Sequence, residues 1–177
     1  MCFATIRYMG AHTSARTVPA RDALDSLRRI VQALRESSRR AERELGVTGA
    51  QAFVLETLAG APALSLNELA ERTHTHQSSV STVVARLVKR GLIRRSRATE
   101  DARRLVLTLS PEGRRLIARA PDIAQSRLVR GIERQPESAR RVLCAVLGAL
   151  AHDLDGGRSQ PGMFFESHSP KGRTARG

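Results

Sequence analysis

Between Leu64 and Leu109 the spacing of apolar residues changes from three-and-four to strict alternation, and the change falls just after Gly91. Such a segment cannot be one helix or one sheet; it must hold helices first and strands second. Ser65 and Glu68 read as a capping box, in which the serine oxygen accepts a backbone N–H and the acid three residues on returns the bond. Leu66, Leu69 and Ala70 then share one face of a short helix. The spacing of Val80, Val83, Val84 and Leu87 predicts a second helix from near Thr75 to about Arg90, closed by Gly91. Leu92 and Ile93, then Leu105, Leu107 and Leu109, fit a hairpin with one buried face. The stretch between them, RRSRATEDARR, is too long for a tight turn and rich in arginine. Two short helices followed by a hairpin with a protruding cationic loop outline a winged helix-turn-helix, a mainly α (α+β) fold with a two-stranded wing.

The apolar side of the second helix leaves the opposite side for a partner. Gln77, Ser78, Ser81, Thr82, Ala85, Arg86 and Lys89 lie there, small enough for close approach or able to exchange hydrogen bonds. A helix with that face suits the major groove, where base edges carry a donor and acceptor code. On the helix alone a solvated amphipathic face fits as well. The loop shifts the balance, because a protruding arginine-rich segment reaches a minor groove while the helix occupies the major one. Arg94, Arg95, Arg97 and Arg104 are candidates for phosphate contacts. Lys89 and Arg90 also suit the negative end of the helix dipole. His74 and His76 are expected beside the DNA backbone; two apart on a turn, with no cysteine or paired acid nearby, they do not suggest a metal shell.

Charge agrees. With 30 basic against 17 acidic residues the chain carries +13 and a pI near 11.5, which calls for a polyanionic partner. Arginines gathered at the second helix and loop favour nucleic acid over a membrane surface. One tyrosine, four phenylalanines and no tryptophan leave few platforms for stacking single strands, so duplex DNA is expected. The longest apolar run, Val142 to Ala151, falls well short of the ~20 residues of a spanning helix, and no membrane partner is expected. The first twenty residues lack the pattern of a secretory signal. Two cysteines make no disulfide framework, and a cytoplasmic location is the expectation. No phosphate loop, nucleophile elbow or paired carboxylates point to an enzyme, and no cofactor is implied.

The remaining chain reads as support. Residues 1–17 show no periodicity and are expected to be a flexible tail. Leu24, Leu27, Val31, Leu34, Ala41 and Leu45 trace a long helix from Arg21, ended by Gly46. Thr48 and Gln51 open a further helix with a second capping box. Ser110, Pro111 and Glu112 start another, which Pro121 must break or kink. A last helix, about Pro136 to Leu154, is apolar nearly all round and needs cover on more than one side. Cys144 lies within it and reads as a small buried hydrophobe, whereas Cys2 belongs to the tail. A twofold dimer built on the first helix and the last two supplies the cover. It also demands a roughly palindromic site. From Gly156 onward the composition is that of a disordered basic tail. The expected organisation is therefore a tail over 1–17, one domain over 18–155 and a tail over 156–177. Within the domain, dimerisation helices occupy about 18–45 and 110–155, and a DNA-binding lobe about 48–109.

The helix pair, the segment VSTVVARLVKRGLI and the loop-and-strand run EDARRLVLTLSPEGRRL resemble the MarR family of transcription regulators. Asp101 and Arg103 stand where that family has its Asp-x-Arg signature. The resemblance implies that Arg103 enters the minor groove and that Asp101 shapes the wing. Thr82 departs from the basic residue common at that place. The resemblance also implies a homodimer and a small aromatic or phenolic effector in a crevice between dimer and DNA lobes, lined from the first and second helices and the start of the fifth. The expected function is a ligand-responsive repressor. The alternatives are a sequence-tolerant protein that coats DNA through charge, or a redox-responsive regulator using the same lobe.

Overall fold

A computed structural model describes residues 20–61, 63–97, 104–157 and 162–165. Its helices are α1 (Ala20–Leu45), α2 (Gly49–Ala59), α3 (Leu66–Arg72), α4 (Gln77–Lys89), α5 (Pro111–Ile117), α6 (Ala124–Glu133) and α7 (Glu137–Asp155), with strands β1 (Ile93–Arg97) and β2 (Leu105–Leu109) between α4 and α5. The fold is mainly helical with one two-stranded sheet.

Three of the helices start where local chemistry tells them to. Thr48 heads α2 and Ser65 heads α3 with both bonds of a capping box present. Ser110 heads α5, accepting from the Gly113 N–H at 2.9 Å with Pro111 as the first helical residue. Gly46 and Gly91 follow α1 and α4 at φ +66° and +72°, values at which a Cβ would clash with the backbone. Ile123 offers α6 no side-chain cap, and Ser37 of α1 accepts the Ala124 N–H at 3.0 Å instead.

Chain contacts divide the molecule into two units, residues 1–32 and 33–177. In the first, the opening half of α1 carries Leu24, Leu27 and Ile30 exposed on one side and an Arg28–Asp25 pair at 2.6 Å. In the second, the core is built on α2, whose Ala52, Val54 and Leu55 are fully enclosed together with Leu69 of α3 and Val80, Val83, Val84 and Leu87 of α4. Ile93, Leu107 and Leu109 close it from the hairpin.

β1 and β2 pair antiparallel, with Ile93 opposite Leu109, Arg95 opposite Leu107 and Arg97 opposite Leu105. Leu64 adds a bridge that the sequence pattern did not announce. Its N–H donates to the Leu107 carbonyl at 3.1 Å and its carbonyl accepts the Leu107 N–H at 2.7 Å. The strict alternation expected of β2 is corrected at its outer end, since Leu105 is 60% exposed while Val106 is buried. Cover reaches Val106 and stops short of Leu105.

Pro121 lies in the break between α5 and α6, as the missing donor requires. α7 has no buried residue at all, and the expectation that Cys144 is buried is corrected: its thiol is exposed with the rest of that helix. Among the described residues nothing covers α7. Residues 1–17 and most of 156–177 lie outside the described residues, Cys2 among them. The short piece at 162–165 departs from the tail expected there, because Met163 is buried as part of the core.

Candidate nucleic-acid interface

The face of α4 opposite its valines is open. Gln77, Ser78, Thr82 and Lys89 are exposed, and Ser81 and Arg86 are half-buried at its margins. The Thr82 hydroxyl donates back to the Ser78 carbonyl at 3.2 Å, which leaves its methyl group and its oxygen lone pairs for a partner. His76 is the N-cap residue of α4 without a side-chain cap bond, and it too is exposed. Along β1, Arg94, Arg95 and Arg97 are all exposed, so both faces of this strand present guanidinium groups. Asp101 and Arg103 lie outside the described residues.

His74 and Arg104 are held by acids distant in the chain. His74 adopts φ +49° in the turn ahead of α4 and sets its Nε2 2.9 Å from Glu133 Oε1 at the end of α6. Arg104 sets its Nη2 2.5 Å from Glu68 Oε1. Glu68 is thereby shared. Its other oxygen accepts the Ser65 backbone N–H at 2.7 Å, and the Ser65 bonds followed by the Arg104 guanidinium lower its pKa to about 2. The capping box was visible in the sequence. Its arginine was not, being thirty-six residues away.

Arg90 is similarly engaged. Beyond its place at the negative end of α4, it donates to the Gly46 carbonyl at 2.8 Å and to Gln51 Oε1 at 3.2 Å. Lys89 beside it stays on the open face.

A cavity of about 770 Å³ opens on another side of this unit, between α2, the end of α3 and α6. Phe53 and Val129 supply apolar wall, and Glu56, Arg72, Arg130 and Glu133 supply charge. The His74–Glu133 pair lies in that wall, and Ser126 donates to Glu56 across it. Its volume is within the range of small-molecule sites. Among the described residues no cluster of metal-ligating side chains occurs, and no helix is long and apolar enough to cross a membrane.

A short helix, a turn, a second helix with an open polar face and a cationic hairpin therefore occupy one stretch of chain, and it is this stretch that known proteins share. Residues 45–104 match the model of the MarR family. This segment is similar to MarR-family proteins. The HTH-type transcriptional repressor MdtR of Bacillus subtilis (strain 168) is 35% identical over 88 residues, which make up 50% of this chain and 57% of MdtR. The likeness to MdtR thus spans little more than half of that relative's length. Among solved structures, the MarR family transcriptional regulator Sco3205 of Streptomyces coelicolor, in complex with DNA, superposes with a TM-score of 0.52 at 24% identity, covering 82% of this chain and 98% of that one. BpsR of Bordetella bronchiseptica, described for regulation of its DNA binding by 6-hydroxynicotinic acid, gives a TM-score of 0.50 at 23% identity over 80% of this chain and 98% of BpsR. Both share the winged-helix fold found here.

Proposed function

We propose that this protein is a sequence-specific regulator of transcription that binds duplex DNA as a homodimer on a palindromic operator, and that it works as a ligand-responsive repressor rather than an enzyme. The observation that carries the reading is the pairing of an uncovered polar α4 face with a hairpin whose first strand is three-fifths arginine in sequence, IRRSR. That α4 face supplies Gln77, Ser78, Ser81, Thr82, Arg86 and Lys89 to base edges and flanking phosphates in the major groove. Arg94, Arg95 and Arg97 hold the backbone, with His76 at the head of α4 beside it. By resemblance Arg103 enters the minor groove and Asp101 shapes the loop. Sco3205, similar in fold, is solved with DNA, and MdtR is a repressor.

The dimer follows from α7. A nineteen-residue helix with Val146 at 52% and Leu150 at 51% exposure holds apolar surface that water disfavours. A second copy is the occupant with a matching face, and twofold symmetry then sets two α4 helices about 34–36 Å apart, one turn of duplex. The cavity between α2 and α6 gives an effector a place to act, through its preference for one arrangement of those helices.

Selection of bound sequences from a random duplex pool, followed by a salt titration on the winner, tests all of this. A palindromic consensus with half-sites one turn apart, and an affinity that falls steeply with salt, are expected. Enrichment of no sequence would leave charge-driven coating of DNA in its place.

A further inference from the structure

Glu68 holds two groups at once, and only one of them carries a charge. Its Oε2 accepts the Ser65 N–H at 2.7 Å to close the cap of α3, while its Oε1 takes Arg104 at 2.5 Å. The head of α2 shows the neutral version of this device. There Gln51 Oε1 accepts the Thr48 N–H at 3.2 Å and also the Arg90 guanidinium at 3.2 Å. A capping box closed by glutamine is thus already built in this chain, as the motif allows. The negative charge at Glu68 is surplus to capping, and what it meets is Arg104.

Arg104 immediately precedes Leu105, the residue paired with Arg97 at the outer end of the hairpin. Among the described residues little else holds that end. Leu105 is mostly exposed, and the backbone bridge to Leu64 lies two residues further in, at Leu107. The bridge fixes the inner part of β2 to the chain just ahead of Ser65, and the ion pair fixes its start to the first turn of α3.

We propose that Glu68 is a positioning residue for the wing: acting through Arg104, it holds the outer end of the hairpin, with Arg95 and Arg97, at a fixed place beside α3. The effect on DNA rests on the reading given above, whereas the effect on the hairpin does not. Arg104 becomes a structural cation, and its sequence assignment as a phosphate contact gives way to this one. The sign of one substitution separates the two roles. Removing a carboxylate that merely faces a polyanion strengthens binding by relieving repulsion. Removing one that places cations weakens it.

The test compares the full-length chain with Glu68→Gln, Arg104→Gln and the double variant, by amide hydrogen exchange and by affinity for the selected duplex. Glu68→Gln is expected to speed exchange in β2 about two- to five-fold, the span of an exposed ion pair, and to weaken duplex binding by a similar factor. Exchange in α3 stays as in the parent chain because the cap survives. The double variant loses no more than either single one. Unchanged β2 exchange, tighter duplex binding by Glu68→Gln, or additive losses in the double variant would overturn the proposal. If the parent chain binds no duplex, the DNA reading fails, and β2 exchange alone then decides whether Glu68 places the hairpin.

Discussion

Arg90 reaches back to the carbonyl of Gly46, 2.8 Å away, and so ties the end of α4 to the joint between α1 and α2. The same guanidinium touches Gln51, whose carbonyl oxygen closes the cap of α2. One side chain therefore joins three helix ends. It does so through one nitrogen, Nη1, whose direction the planar guanidinium fixes as a lysine ammonium would not.

Arg90→Ala is expected to lower stability by about 1 kcal/mol, a charge-assisted pair of bonds discounted for its exposure. Arg90→Lys is expected to recover less than half of the loss. Urea unfolding followed by far-UV circular dichroism measures both, and an unaltered midpoint in Arg90→Ala would show the tie to be idle.

Gly113 is held against the hairpin. A Cβ there would sit 2.2 Å from the Leu92 carbonyl oxygen, a backbone atom that cannot swing aside. Ser110 donates its N–H to that same carbonyl at 3.0 Å, so moving it also costs a bond. Gly113→Ala is expected to destabilise by roughly 1–3 kcal/mol or more, in the manner of an overpacked core, although alanine ordinarily favours a helix. A rise in melting temperature would contradict this close approach.

Glu68 makes stability depend on pH in a definite direction. Its carboxyl is lowered from 4.5 to about 2 in the folded chain, so the unfolded chain binds the proton more readily. The contribution is present in full above the unfolded value and is lost as pH falls through the folded one. Unfolding midpoints of the parent chain and of Glu68→Gln are expected to differ near neutral pH and to converge as pH drops from about 4.5 toward 2. Parallel curves across that window would show that no such proton is taken up.

The uncovered face of α7 predicts assembly. Val146→Asp or Leu150→Arg places a charge where another copy would pack, and light scattering is expected to report monomers for these variants and dimers for the parent. A parent chain that stays monomeric at micromolar concentration would remove the twofold model of DNA binding along with it.

Local chemistry made much of this legible in the sequence. Both capping boxes, the stop at Gly91, the start at Pro111 and the break at Pro121 depend on neighbours within a few residues, and all stand where the sequence places them. The open face of α4 follows from the spacing of its valines. What could not be read depends on distant partners. Arg104 with Glu68, Arg90 with Gly46 and His74 with Glu133 are separated by 36, 44 and 59 residues, and arginine or histidine at those places is equally suited to solvent or phosphate. Alternation failed at Leu105 because period two assumes that the core extends the full length of a strand. Cys144 was misjudged for a related reason: an apolar helix implies a cover without saying which molecule provides it.

The break at Pro121 also decides how force can travel. An unbroken rod from the hairpin to the end of α6 would turn both ends together under any twist. Here the rod is cut, with its near half lodged against Leu92 through Gly113 and its far half gripped by Ser37 and by His74. A push on the far half therefore bears on the turn ahead of α4 through His74, and a push on the near half bears on the hairpin through Leu92.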